Sequence, residues 1–158
     1  MNAPDTVQGP LYLEDLQAGQ VLKASAPPTV IDADAIKAFA RQFDPQPFHL
    51  DETAAAGTLF GGLAASGWHT AALTMRMLVD GGLPLAGGII GASADEVRWP
   101  RPVRPGDSLH VECEVLEVRA SRSQPDRGIA RVRTSTLNQN GDPVQIMIAN
   151  LVVRRRPA

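Results

Sequence analysis

An α+β domain, an antiparallel sheet curved around one buried helix, is what these 158 residues predict, and three observations carry that expectation. A strongly apolar helical segment runs from Ser66 to about Val79. Strand-like runs follow it, separated by turn signals at Arg104-Pro105-Gly106-Asp107, Gln124-Pro125-Asp126-Arg127-Gly128 and Asn140-Gly141. Finally, 44% of the residues are hydrophobic, enough for one compact core but not for two domains. A helix that is apolar on most sides needs cover, and a meander of long strands covers it most economically by wrapping around it.

Taken in order, residues 1–10 carry no Lys or Arg and no apolar run, so they read as a flexible tail rather than a secretory signal, and the domain is expected over 11–158. Leu11 to Leu16 and Gln20-Val21-Leu22 read as a short turn and a first strand, with Pro27-Pro28 interrupting before Thr29-Val30-Ile31. Ile36, Phe39, Ala40 and Phe43 fall at helical spacing after Asp32, a natural N-cap. That helix ends at Asp44, because Pro45 disfavours helical geometry in the residue before it, and a stiff loop begins there. Asp51 and Glu52 ahead of Thr53-Ala54-Ala55-Ala56 start a short helix, which Gly57 and then Gly61-Gly62 stop. In the next helix Trp68, Ala71, Ala72, Met75, Leu78 and Val79 form one stripe. Leu109, Val111, Cys113 and Val115 alternate with His110, Glu112 and Glu114, the pattern of a strand with one face buried, while Ile146 to Val153 is more uniformly apolar.

The totals exclude several classes of function. A net charge of -2 gives no electrostatic case for nucleic acid. No apolar stretch approaches the roughly 20 residues that span a bilayer. One cysteine, Cys113, means no internal disulfide and no cysteine cluster for zinc, in keeping with a reducing cytoplasmic setting, and its strand parity makes it a small buried hydrophobe.

Two segments hold residues suited to chemistry. In Phe43-Asp44-Pro45-Gln46-Pro47-Phe48-His49, a carboxylate and an imidazole are joined through two prolines that restrict their relative placement. Such a pair sharing one water can activate it and move its proton, although Asp before Pro is also a common turn starter. In Phe60-Gly61-Gly62-Leu63-Ala64-Ala65-Ser66-Gly67-Trp68, small residues precede the apolar helix, whose N-terminal amides near Gly67 and Trp68 are suited to holding a developing oxyanion. The plainer alternative is that Ser66 caps the helix and Gly67 avoids a packing clash.

Asp44-Pro45-Gln46-Pro47-Phe48-His49 resembles, with one change, the Asp-x-Asn-Pro-x-His signature of the MaoC-like, (R)-specific enoyl-CoA hydratases, and Gly67 resembles the glycine that opens their central helix. Arg101-Pro102-Val103-Arg104-Pro105-Gly106-Asp107 is similar to their strand connection ending in Pro-x-x-x-Gly-Asp, so the likeness runs from about Leu13 to Val153. It implies a hot-dog fold, a homodimer or dimer of dimers, an acyl-CoA thioester as substrate with no metal or other cofactor, and reversible hydration of a trans-2-enoyl-CoA to an (R)-3-hydroxyacyl-CoA. It assigns proton transfer to Asp44 and His49, the oxyanion amide to Gly67, and substrate contacts to Gln46, Ser66 and Trp68. Three positions depart from the family pattern. Gln46 stands in place of Asn, Ser66 in place of a histidine, and Thr74-Met75-Arg76 where a serine is common.

Competing readings are a hot-dog thioesterase, whose water-activating carboxylate on the central helix would have to be Asp80, and a non-catalytic acyl-CoA-binding module or partner subunit. Of the remaining candidates, His69 is expected to be structural and His110 to face solvent. Arg98, Arg101, Arg104, Arg119, Arg122 and Arg127 fall in a region suited to gripping CoA phosphates, though most are expected on a solvated strand face.

Overall fold

The computed structural model describes residues 9–24 and 26–158. The tail expected over 1–10 lies, up to residue 8, outside the described residues. The chain is held from Leu11 onwards, where the Leu11 amide donates to the Pro84 carbonyl and the Leu11 carbonyl accepts from Ala86, both at 2.8 Å. A short 3-10 turn, Leu13–Asp15, leads to strands β1 (Val21–Lys23) and β2 (Thr29–Val30). Helices α1 (Ala33–Phe43), α2 (Pro47–Leu50), α3 (Glu52–Ala56) and α4 (Gly67–Met77) follow, and strands β3 (Ile90–Arg98), β4 (Ser108–Ala120), β5 (Arg127–Leu137) and β6 (Pro143–Arg154) complete the fold. The sheet is six-stranded and antiparallel in the order β1-β4-β5-β6-β3, with β2 pairing to β4 off this path. No helix among the described residues is long and apolar enough to cross a membrane.

Local chemistry explains most boundaries. The Asp32 carboxylate accepts from the Ala35 amide at 2.8 Å and the Asp51 carboxylate from Ala54 at 2.7 Å, capping α1 and α3. The stiff loop expected after Asp44 is shorter than anticipated, because Pro47 opens α2. Proline at the first helical position lacks only an N–H that would have no helical partner, and its φ is already helical. His49 therefore rides on a helical turn. In β4 the predicted alternation holds, with Leu109, Val111, Cys113 and Val115 buried. The opposite face carries ion pairs from Glu112 to Lys23 and from Glu114 to Arg133, each at 3.3 Å. Val132, Val144, Val153, Ile31, Ile36 and Leu83 complete the densest part of the core, each contributing roughly 1.5–3 kcal/mol by leaving water. Burial pushes the Cys113 thiol up to about 11, which leaves it a packing residue.

α4 lies against the sheet in an orientation that hydropathy misreads. Of the expected stripe only Leu78 is fully buried, whereas Trp68, Ala72, Met75 and Val79 stand exposed. The buried face instead presents His69, Thr70, Thr74 and Met77. Thr74 Oγ1 donates to the Thr70 carbonyl at 2.8 Å and accepts from Thr136 Oγ1 at 2.6 Å and from Gln145 Nε2 at 3.3 Å. A threonine whose hydroxyl is satisfied in this way packs like an aliphatic residue. The helix then passes into a wide turn over Leu78–Gly82, where Gly81 takes φ 132°, a conformation that suits glycine.

His69 is buried, its ring stacked on Phe39 with centroids 4.7 Å apart, and its Nδ1 has no hydrogen-bond partner. Burial holds its pKa below the ordinary 6.5, so the folded state keeps it neutral while the unfolded chain takes up a proton below that value. Its contribution to stability is therefore intact above pH 6.5 and declines as the pH falls towards the depressed folded value. His69→Phe keeps the stack and removes the orphan nitrogen. It is expected to stabilise the domain by about 1 kcal/mol at pH 7 and by more at pH 5, as urea midpoints at the two pH values will register. A variant that weakens equally at both would contradict this account.

Candidate active site

Asp44 terminates α1, its amide donating to the Ala40 carbonyl at 2.9 Å. The backbone then closes a tight turn in which Gln46 N–H donates to the Asp44 carbonyl and His49 N–H to the Gln46 carbonyl, at 2.8 and 3.0 Å. This turn brings the two side chains together, with His49 Nε2 3.3 Å from Asp44 Oδ2. His49 is buried and its Nδ1 lies 2.6 Å from the Ala64 carbonyl oxygen. A carbonyl only accepts, so Nδ1 carries the hydrogen and Nε2 is the nitrogen left to exchange a proton beside the carboxylate. Phe48 and Phe60 pack around the imidazole, with centroids 4.6 and 5.8 Å from it.

Burial alone would raise the pKa of Asp44, but three neighbours outweigh it. The Gln46 amide donates to Oδ1 at 2.5 Å, the Ser66 hydroxyl supports the anion, and His49 adds a coulombic contribution. Together they hold the carboxyl below its usual range, so it is ionised at neutral pH. Gln46, the departure from the family pattern, thus reaches the same carboxylate that an amide there would be expected to orient.

The glycine-rich segment before α4 is held by Arg104. Its guanidinium donates to the carbonyls of Gly62 at 2.9 Å, Leu63 at 3.2 Å and also Phe60. The planar fork suits three carbonyls on one bend better than an ammonium would. Arg104 is therefore a clamp on the loop rather than a phosphate ligand. Arg104→Ala is expected to lose about 2–3 kcal/mol of stability because three carbonyls lose a charged donor, and Arg104→Lys to recover only part of it, as thermal unfolding will show.

Ser66 is buried and caps α4, its hydroxyl accepting from the Trp68 amide at 3.3 Å. Of the two amides considered for an oxyanion, Trp68's is thus occupied, whereas the Gly67 amide makes no hydrogen bond among the described residues. Gly67, His49, Phe60 and Thr70 line a cavity of about 180 Å³ whose remaining wall is Trp99, Arg101, Pro102, Val103 and Ala65. The Trp68 side chain is 61% exposed and lies outside this cavity, edge-on to Trp99 at 5.2 Å. His69 is not part of the wall, and Asp80 sits on the exposed side, paired with Arg76 at 2.7 Å.

Sequence reasoning missed Trp99 and Gln145. The Trp99 indole lies where a side chain on Gly67 would project, with three ring atoms 2.6–2.9 Å from an ideal Cβ. Its Nε1 donates to Gln145 Oε1 at 2.9 Å, and Gln145 in turn donates to Thr74. The available signal was an amide inside the apolar run around Val144 and Ile146, since a fully buried amide requires partners. Met75, Leu78, Ala94, Met147 and Leu151 belong to a second, largely apolar cavity of about 310 Å³.

The chain is similar to several known proteins. Residues 15–138 match the family model described as MaoC like domain. The crystal structure of the MaoC-like dehydratase from Rhodospirillum rubrum superposes with a TM-score of 0.89 at 59% identity, over 94% of this chain and 99% of that one. Among curated relatives, the uncharacterized protein YdeM of Bacillus subtilis is 34% identical over 129 residues, 82% of this chain and 89% of its own. The 3-hydroxybutyryl-CoA dehydratase of Methylorubrum extorquens is 35% identical over 111 residues, 68% of this chain and 66% of its own. With the antiparallel hot-dog sheet around α4, these matches place the chain in the MaoC-like dehydratase family.

Proposed function

We propose that the chain catalyses reversible addition of water across the 2,3 double bond of a trans-2-enoyl-CoA, giving an (R)-3-hydroxyacyl-CoA. The observation that carries this reading is the lock on His49. With Nδ1–H held by the Ala64 carbonyl, Nε2 faces an ionised Asp44 at 3.3 Å. A water hydrogen-bonded to both from the side is oriented by the carboxylate and yields a proton to Nε2 as its oxygen bonds to C3. The imidazolium so formed is stabilised by Asp44 and returns that proton to C2. In the intervening enolate the thioester oxygen carries the charge, and the unengaged Gly67 amide is the donor suited to it. Thioesters acidify their own α-carbon, so positioning, proton transfer and a dry pocket suffice.

The thioesterase alternative needs a carboxylate on α4, and Asp80 is instead paired with Arg76 beyond the last turn. The test is loss of enoyl-thioester absorbance with a panel of trans-2-enoyl-CoA substrates, with free thiol assayed in parallel. Absorbance loss without thiol supports the hydratase. Thiol release, or binding without turnover, would replace it with the thioesterase or the binding module.

A homodimer is part of this proposal. β3 is a nine-residue strand at the sheet edge, and the exposed stripe of Trp68, Met75 and Val79 continues the apolar surface towards exposed Ile90. A long unpaired edge beside an apolar patch is the surface expected to pair with a second copy. Val79→Lys is expected to shift the sedimentation coefficient towards that of the monomer, and an unchanged dimer would remove the stripe from the interface.

A further inference from the structure

We infer that Arg101 makes this site selective for enoyl thioesters whose acyl group ends in a carboxylate. The inference rests on the hydratase reading above and names its substrate class. Arg101 lines the same 180 Å³ cavity as His49 and Gly67. The arginines around it are held more tightly. Arg104 is spent on three backbone carbonyls. Arg98 pairs with Glu96 at 2.6 Å, Arg131 with Asp95 at 2.7 Å and Arg133 with Glu114 at 3.3 Å. Arg101 makes no hydrogen bond among the described residues; its side chain is 59% exposed and its Nε forms only a loose ion pair, 4.0 Å from Asp142 Oδ2.

A loosely paired guanidinium at a small cavity offers a planar pair of donors to a carboxylate. The long pantetheine arm separates the CoA phosphates from the thioester. An anion that must lie in the same small cavity as the reacting carbons is therefore better supplied by the acyl group than by the phosphates. With about 180 Å³ lined by His49, Gly67 and Arg101, the space beside His49 suits a short acyl group with a polar end.

The experiment compares two five-carbon trans-2-enoyl-CoA substrates, one ending in a methyl group and one in a carboxylate. The saturated thioesters of the same two acyl groups are titrated by calorimetry. The unmodified protein is expected to favour the carboxylate-ended chain roughly 10- to 100-fold in kcat/KM and in affinity, the span of one charged hydrogen-bonded contact. In Arg101→Gln that ratio is expected to fall towards one, with Arg101→Lys between. Repeating the titration with pantetheine thioesters, which lack the CoA phosphates, separates the sources. A preference that persists without phosphates supports the acyl carboxylate. An equal loss for both chains in Arg101→Gln, confined to the CoA forms, would assign Arg101 to the phosphates and overturn the inference. A methyl-preferring protein would overturn it as well. If neither enoyl-CoA is hydrated yet the calorimetric preference remains, the hydratase reading fails while the carboxylate site stands.

Discussion

Asp44→Asn and His49→Asn are each expected to lower turnover of an enoyl-CoA substrate by about 100-fold or more with the fold retained. The conservative partners are chosen from the geometry. Asparagine at 49 places its amide N–H where Nδ1 now meets the Ala64 carbonyl, so it removes the proton carrier without leaving that carbonyl without a donor. Asparagine at 44 keeps the size of the carboxylate and loses its charge, so Nε2 no longer faces an anion that stabilises its protonated form. The two groups act on one water, and their effects are not expected to add, so the double variant falls little below the weaker single one. The pH dependence has a definite sign. The carboxyl of Asp44 is held below its ordinary 3.8, so its support for the folded state is complete above that value and is lost as the pH falls through the depressed one. Asp44→Asn is expected to remove that part of the acid limb in denaturation measured from pH 5 downwards. Full turnover in either single variant would dissolve the assignment of the pair.

Gly67→Ala is expected to carry the next largest effect, through two separable routes. The added methyl meets three atoms of the Trp99 indole at 2.6–2.9 Å, closer than real carbon contacts allow, so either the indole or the start of α4 moves. Overpacking of this kind costs about 1–3 kcal/mol. The substitution retains the amide N–H but shifts its position, and misplacing one oxyanion donor lowers turnover by roughly 100-fold. Pairing Gly67→Ala with Trp99→Leu separates the routes. The stability cost of the added methyl is expected to shrink in the Trp99→Leu background, itself weakened by the lost bond to Gln145, and turnover to return only as far as the amide regains its position. A Gly67→Ala protein that melts and turns over like the parent would show that neither the collision nor the amide matters.

Much of this architecture was legible in the residues because it depends on short-range rules. Asp32 caps α1 as its position predicts, and the alternation from Leu109 to Val115 sets the inner face of β4. The pairing of Asp44 with His49 was suggested by the proline-stiffened spacing, although the helical turn begun by Pro47 was not, since the same proline serves equally well in a loop. Other features are decided by partners distant in sequence. Thr70 and Thr74 face the sheet because Thr136 and Gln145 satisfy the cluster, so a hydropathy stripe assigned the wrong side of α4 to the core. Arg104 looked like one strand arginine among several until the fold placed three carbonyls around it. Trp99 and Gln145 were invisible for the same reason, being joined only by the way β3 and β6 converge near the start of α4.

The bend between α3 and α4 looks like the natural place for a reporter or an affinity tag, with a fully exposed Leu59 at its tip and glycines beside it. Its backbone leads to Ala64, whose carbonyl decides which nitrogen of His49 bears hydrogen, and Arg104 braces it on the way. An insertion there would leave the sheet untouched and the protein well expressed while unsettling the tautomer on which proton exchange depends. Protein engineers seeking a permissive splice point are better served by the hairpin at Asn140-Gly141, which lies outside the wall of the cavity beside His49.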